Sequence, residues 1–295
     1  MKVISIVPRL PPATDGVGDY ALKLACQLRQ NSNIQTYFIA GDPDSSMSSD
    51  LHSFPVSLIQ RRLAADLYYL LAQQTSSTVI LHYVGYGYAK RGCPTWLISG
   101  LQQWKQNTPN AALITMFHEV YAAGRPLWTS AFWFFPLQKN LASRLAHLSN
   151  SILTSKQLYA TILQNLAPQH CSIPVLPIFS NVGESRNPPP LTKRHKWLVI
   201  FGGTANRSRV YQSSIAILRQ VCRSLQINTI VDIGPKLNAI PSAIDNISIS
   251  AMGQLPATEI RQIFLQSTAG FLDYNPDYLA KSGIFAAYCA YGLLP

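Results

Sequence analysis

Charge is what this 295-residue chain has least of: Asp, Glu, Lys and Arg together make up 13% of it, against about 25% in ordinary globular domains. The shortage falls on the acids, with 13 Asp and Glu facing 24 Lys and Arg for a formal net charge of +11. Such a surplus favours anionic partners: phosphates, nucleic acid or an acidic membrane surface. The basic residues are scattered in small groups, such as Arg61 with Arg62, Lys90 with Arg91, and Arg207 with Arg209. A dense basic stripe with interleaved aromatics is missing, so no nucleic-acid partner is expected. Cysteine is also sparse: Cys26, Cys93, Cys171, Cys222 and Cys289 are odd in number, far apart and without a CxxC pair. That excludes a disulfide framework and a zinc site, and reads as reduced thiols in a cytosolic protein.

Long apolar runs are missing too. The run over 130–137 is too short to span a bilayer, and the start, MKVISIVPRLPP, has neither a signal-type apolar core nor a cleavage site. The expected setting is the cytoplasm, with peripheral contact at the inner face of the membrane. GxGxxG, Walker A, GxSxG and HExxH patterns do not occur, and the six histidines are scattered. Dinucleotide-dependent, hydrolytic and metal-dependent readings lose support, and neither metal nor cofactor is expected.

What is present is core-forming material, 47% hydrophobic residues, arranged in alternation. A β-branched run over 3–7 reads as a buried parallel strand, the Pro/Gly-rich stretch 8–18 as a loop, and 19–30 as a helix by its apolar spacing. Further strands are read at 34–40, 78–83, 111–117 and 151–154, with helices at 62–73, 96–106, 137–148 and 156–165. Residues 181–196, polar and with three consecutive prolines, read as an exposed semi-rigid linker. Alternation then restarts: strands at 197–201, 228–233, 247–249 and 269–272, helices at 210–225, 258–266 and 282–291. This predicts an α/β chain with a first domain over 1–180, the linker 181–196 and a second domain over 197–295, each a parallel sheet covered by helices. A parallel sheet normally gains another strand after such a last helix, so the second domain is expected to lack its final elements.

Ligands of open α/β sheets bind outside the carboxyl ends of the strands, which selects the candidate residues. Gly16 and Gly18, with Asp19, follow the first strand; a ligand loop and a plain glycine turn are equal readings. His118 and Glu119 end the strand over 111–117 in the same rim. His82 ends 78–83, followed by Tyr83, Tyr86 and Tyr88 in a glycine-rich loop that either stacks on a sugar or simply packs. The aromatic run 125–135 favours core packing over a membrane- or acceptor-contacting loop. In the second domain, Gly203, Arg207 and Arg209 suit a diphosphate beside a glycine turn. Lys281, Ser282 and Gly283 open the last helix, a plausible anion site or an ordinary cap.

Together these landmarks resemble the retaining, glycogen-synthase-like group of GT-B glycosyltransferases. Gly16-Val17-Gly18-Asp19-Tyr20 is similar to its GGVG-x-Y stretch, and His118 to the histidine ending a central strand of its acceptor domain. Residues 155–159 resemble the strand-to-helix segment late in that domain. Residues 201–209 resemble the first strand and phosphate loop of its donor domain, 253–260 its G-x-[LV]-x-x-x-[ED]-[LIV] stretch, and 281–295 its diphosphate-capping helix. The resemblance implies two Rossmann-like domains facing a cleft and transfer of a sugar from a nucleotide-sugar to a polysaccharide, glycolipid or lipid-linked acceptor. It implies His118 as the catalytic contact to the sugar. Gly16, Gly203, Arg207, Arg209, Lys281, Ser282 and Gly283 would serve the donor, and Gly18, Asp19, Tyr83 and Glu119 the acceptor. The group's paired glutamates are replaced by Leu279 and Ala287, which leaves a non-catalytic protein that binds nucleotide-sugar or glycan as the alternative.

Overall fold

The computed structural model describes residues 1–13, 15–44, 50–108, 110–122, 126–237 and 240–295. Thr14 in the first loop and Arg125 at the head of the aromatic run lie outside the described residues. The chain forms two compact units, Met1–Pro177 and Ile178–Pro295.

In the first unit the elements run β1 (Lys2–Val7), α1 (Gly16–Ser32), β2 (Gln35–Ala40), β3 (Asp50–Leu51), β4 (Phe54–Leu58), α2 (Ala64–Ala72), β5 (Thr78–Tyr83), α3 (Gly85–Tyr88), α4 (Thr95–Asn107), β6 (Ala112–Phe117), α5 (Ser130–Leu148), β7 (Ser151–Thr154) and α6 (Gln157–Leu166). The sheet order is β3-β4-β2-β1-β5-β6-β7. Every pairing is parallel except that of the short β3 with β4. Period-two alternation sorts the strands onto two cores. Ile4, Ile6, Ile39 and Leu81 join the cluster under α2 and α4, while Val7, Phe38 and Ala40 join Ala21, Leu22 and Ala25 of α1.

The second unit runs β8 (His195–Phe201), α7 (Thr204–Ser213), α8 (Ile215–Ser224), β9 (Thr229–Ile233), β10 (Ala243–Ile244), β11 (Ile247–Gly253), α9 (Ala257–Gln266), β12 (Ser267–Phe271) and α10 (Gly283–Ala290). Its order is β10-β11-β9-β8-β12, parallel except for β10 with β11. Leu198 and Ile200 face the α8 side, Val199 and Val231 the side of α9 and α10.

Several stretches depart from the sequence reading, among them β4, which was not expected. Residues 181–196 are largely exposed, as expected, but belong to the second unit rather than linking two, with Val182 and Arg194 buried. Arg261 Nε donates to the Val182 carbonyl at 2.6 Å, and Arg194 reaches Ser267 O at 3.1 Å and Pro189 O at 2.9 Å. The expected helix over 210–225 is two helices broken at Ser214, whose hydroxyl donates to Asp273 Oδ2 at 2.9 Å. Helix α5 begins at Ser130, seven residues before the expected start, and carries Pro136 inside it. Its first buried residue is Gln138; of the aromatic run, Phe135 packs edge-on against Tyr121 at 5.1 Å beside the core, while Trp128 and Trp133 are exposed.

The second unit also contains a buried ion pair. Asp232, on β9, is fully buried. Arg207 meets it with Nε at 3.2 Å and with Nη2, and donates Nη1 to Pro235 O at 2.5 Å. Tyr211 adds a hydroxyl to Asp232 Oδ2 at 2.8 Å. Gly234, at φ +151°, leaves room for this guanidinium: a Cβ there would sit 2.6 Å from Arg207 Nη1. Removing one partner of such a pair strands the other charge in the core. Arg207→Met is therefore expected to destabilise the unit by about 3–5 kcal/mol in urea unfolding. Arg209→Met, on the exposed face of the same helix, is expected to stay within about 0.5 kcal/mol of the native protein.

Candidate functional site

In a doubly wound sheet the crevice opens where consecutive crossovers leave in opposite directions. In the first unit this point lies between β1 and β5, because the chain moves from β1 outward to β2 and β4 before returning to β5 on the other side. Tyr88 fastens the two strand ends. Its hydroxyl donates to the His82 carbonyl at 3.0 Å, with the Ile6 carbonyl 3.2 Å away. Its ring needs Gly41, where a Cβ would lie 2.7 Å from the ring.

Around that point stand His82, His118 and Tyr20. The sheet register pairs His82 with Met116 and Tyr83 with Phe117, one residue before His118. The His118 amide donates to the Tyr83 carbonyl at 3.0 Å, so the chain is still held to β5 as it turns off the sheet. The two imidazoles meet at 3.2 Å between His82 Nδ1 and His118 Nε2 and lie nearly parallel, at 27°. Tyr20, on α1, packs its ring edge-on against both, 5.1 Å from His118 and 5.8 Å from His82. Both histidines are buried, His118 at 7% exposure and His82 at 1%. Burial among apolar groups disfavours the imidazolium, and the pKa of His82 falls to about 3. His82 is therefore neutral at physiological pH.

The glycine loop opens the helix that carries Tyr20. Asp15 caps α1 by accepting from the Val17 amide at 2.9 Å. Gly18 is obligatory, since a Cβ there would fall 2.2 Å from the Arg9 carbonyl oxygen. Gly16 is exposed and has open space where a Cβ would stand. Asp19 is exposed next to it, and burial of its carboxyl, partly offset by Lys23, raises its pKa. Glu119 is half-buried. Tyr83 differs from expectation. Strand alternation turns it to the face opposite His82, and it packs at 5.2 Å against Phe117 in the core with 1% exposure. It is thus absent from the rim surface. His82 and Tyr88 stand at the crevice in its place. Their signal in the sequence was one His at a strand end and one Tyr among glycines, neither distinguishable from packing.

In the second unit the corresponding point lies between β8 and β12. After β8, Gly202 takes φ +135°, and a Cβ there would be 2.5 Å from Ile284 Cδ1. The start of α10 therefore sits against the start of α7. Gly203 is exposed and caps α7 without a side-chain hydrogen bond, and neither helix has an acidic residue in its first turn. Ser282 is buried and caps α10 by accepting from the Phe285 amide at 3.2 Å, while Gly283 stands half-buried beside Asn181. Lys281 ends the short 3-10 turn before α10, its amine 5.9 Å from the Tyr278 ring. Arg209 is exposed and donates to Asp273 O at 3.3 Å and to Asn206 Oδ1 at 2.5 Å. Arg207, expected beside it as a phosphate ligand, points inward instead. Helical spacing puts residue 207 on the core side of α7, and Asp232, unnoticed within an apolar strand, claims its guanidinium. Asp273 is the carboxylate this rim presents, half-buried at the end of β12.

No group of three or more His, Cys, Asp or Glu suited to a metal is found among the described residues. No described helix is long and apolar enough to cross a membrane.

No family model matches the chain, and no curated protein matches its sequence. Solved structures do match its fold. Sucrose-phosphate synthase from Thermosynechococcus elongatus aligns over 95% of this chain and 78% of its own, at 9% identity and a TM-score of 0.56. The apo lipopolysaccharide outer core galactosyltransferase WaaB aligns over 99% and 79%, at 12% identity and 0.54. An alpha-glucosyltransferase in complex with UDP and a mismatched 13-mer DNA aligns over 100% and 78%, at 13% identity and 0.53. At these identities the likeness is one of fold: two Rossmann-like α/β units with predominantly parallel sheets, as in GT-B glycosyltransferases.

Proposed function

We propose that the chain is a glycosyltransferase that moves a sugar from a nucleotide-sugar to a glycan, glycolipid or lipid-linked acceptor at the cytoplasmic face of a membrane. The observation that carries this reading is the meeting of two helix N-termini, α7 and α10, at the Gly202-Gly203 turn with no acidic side chain in either first turn. Converging peptide dipoles and amides favour a diphosphate at that point. In this reading Arg209 and Lys281 add positive charge, and the departing nucleoside diphosphate is stabilised without a metal. Asp273 holds hydroxyls of the ribose or the sugar, in place of the acids that stand here as Leu279 and Ala287. The UDP in the alpha-glucosyltransferase complex makes UDP-sugars the first donors to test. Retention of anomeric configuration belongs to the reading through the motif resemblance.

In the first unit, His118 is the group that meets the transferred sugar, beside Tyr20 on the helix that opens at Gly16. A neutral His82 accepts or donates one hydrogen bond at Nδ1, and so fixes the orientation of the His118 ring and the nitrogen that carries its proton. Gly18, Asp19 and Glu119 line the acceptor side.

A second reading is supported by Ala287, which is fully buried against the α9–α10 core. The place of one expected acid is filled by packing, as in a protein that binds nucleotide-sugar or glycan without turning it over. Thermal unfolding with UDP-, GDP- and ADP-sugars is expected to show stabilisation by at least one donor, about 2.7 kcal/mol at 100 times its Kd, and transfer or hydrolysis should then release the free nucleotide. Binding without release selects the second reading. No shift with any nucleotide, but a salt-sensitive shift with DNA or RNA, overturns both. Arg209→Ala should weaken nucleoside-diphosphate binding by about 1–3 kcal/mol without loss of fold.

The neutral His82 also sets a pH dependence. Its folded pKa, about 3, lies below the unfolded value near 6.5. Between those values the unfolded chain binds the extra proton, so stability falls as pH drops through the window. The contribution is at most about 1.4 kcal/mol per pH unit. Unfolding measured from pH 7 to 4 should show a shallower slope for His82→Gln; an unchanged slope refutes a neutral buried His82.

A further inference from the structure

The aromatic segment ahead of the α5 core residues packs only in part as expected: Phe135 meets Tyr121, and the tryptophans do not pack. Leu127 and Trp128, in the turn before the helix, are 65% and 86% exposed, and Trp133 is 72% exposed on its first turn. Leu137 follows one turn later at 40%, on the same face as Trp133 by i, i+4 spacing. None of residues 130–137 is fully buried: over about 12 Å of helix, at 1.5 Å per residue, Phe134 and Phe135 turn toward Arg91 and Tyr121 while Trp133 and Leu137 face outward. Farther along this face the residues turn polar: Asn140, Arg144 and His147 are exposed.

Cations lie along one flank of the apolar end. The Arg91 guanidinium lies 4.8 Å over the Phe134 ring. Gln138 ties α5 to the Arg91 carbonyl at 2.9 Å and to the Tyr86 hydroxyl at 3.1 Å, which brings exposed Lys90 and half-exposed Tyr86 alongside. Lys139 is exposed on α5 itself. Acids are almost missing from this part of the sequence. Between Asp66 and Glu184 the only one is Glu119, against seven Lys and Arg.

We infer that this projecting end of α5, with Leu127 and Trp128, is a docking face for an anionic lipid bilayer, with the indoles at the headgroup level and Lys90, Arg91 and Lys139 on the phosphates. Trp suits that depth because its ring is apolar and its N–H remains hydrated. An apolar tip with exposed lysine and arginine close to it in the fold and few acids in the surrounding sequence complements a negative surface. The face lies on the same rim as His118, so a lipid-borne acceptor would arrive beside the glycine loop. That last step rests on the proposed glycosyl transfer; the docking itself does not.

Sedimentation of the whole chain with vesicles separates the two, because it needs no nucleotide and no turnover. Native protein is expected to bind vesicles of 70% phosphatidylcholine and 30% phosphatidylglycerol at least tenfold more tightly than pure phosphatidylcholine. Binding should weaken at 0.5 M salt, where screening shortens the reach of the cations. Trp128→Ser with Trp133→Ser should lower the partition at least tenfold while leaving the thermal midpoint unchanged, as both side chains are exposed. Lys90→Gln with Lys139→Gln should lower it only on the anionic vesicles. Failure of the native protein to bind anionic vesicles overturns the proposal, as does full binding by the double tryptophan variant. Light scattering that shows a dimer dispersed by that variant, with no vesicle binding, identifies a second copy as the occupant and also overturns it.

Discussion

A parallel strand cannot reach its neighbour without a crossover, and that constraint governs both units. Each crossover helix must pack on one face of the sheet, and consecutive crossovers leave the first strand in opposite directions. The strand ends then part at one place per sheet, between β1 and β5 and between β8 and β12. Backbone carbonyls at such a gap lose their ladder partners and must find others. In the first unit Tyr88 supplies its hydroxyl at the ends of β1 and β5. In the second, the Tyr288 hydroxyl meets Val199 O at 3.1 Å and accepts from the Phe201 amide at 3.0 Å. Gly270 makes room for that ring, since a Cβ there would stand 2.5 Å from it. A buried tyrosine on a glycine thus braces each gap without closing it, which leaves the glycine turns after β1 and β8 at an open rim.

Scarcity of charge changes what the remaining charges do. In a surface rich in ion pairs, one more arginine contributes little. Arg207 instead neutralises the fully buried Asp232 and gives three donors to fixed acceptors, which holds α7 against β9 and the turn at Gly234. The start of α7 is positioned by its own fourth residue. The amides at Gly203 are thus held from the core side by an ion pair, in addition to the contacts of Gly202 with Ile284 and of Arg209 with Asp273 at the rim.

Much of this was legible in the sequence, and the limits were physical. Strand and helix alternation announced both sheets because buried parallel strands such as 78–83 and 111–117 are nearly pure apolar runs. The short β3 and β10 were invisible, as two-residue pairings carry no periodicity, and so was β4, whose Pro55 argues against a strand. Gly18, Gly202 and His118 were found at strand ends because topology selects such positions. Arg207 and Arg209 could not be told apart, since the inward turn of one depends on Asp232, 25 residues away. Tyr83 was misjudged by one step of strand alternation, the smallest error that reverses a side chain. The partnership of His82 with His118 joins residues 36 apart and depends on the β5–β6 register, which composition does not disclose.

The aromatic run shows the same limit from the opposite side. Hydrophobicity argues for burial only where the fold has a surface left to cover the side chain. Here the core of the first unit is already filled along α5 from Gln138 onward by Leu141, Ala142, Leu145 and Ala146, and the sheet beneath ends at Phe117. A helix of 19 residues outruns a sheet whose strands have at most six, because helical rise over that length is about 28 Å and six strand residues cover about 20 Å. The excess must lie beyond the sheet. On those turns Phe135 still meets Tyr121 beside the core, while the face that carries Trp133 and Leu137 meets solvent. Trp128, Trp133 and Leu137 are therefore residues that the fold tolerates but does not require, and contact outside the chain is what their chemistry serves.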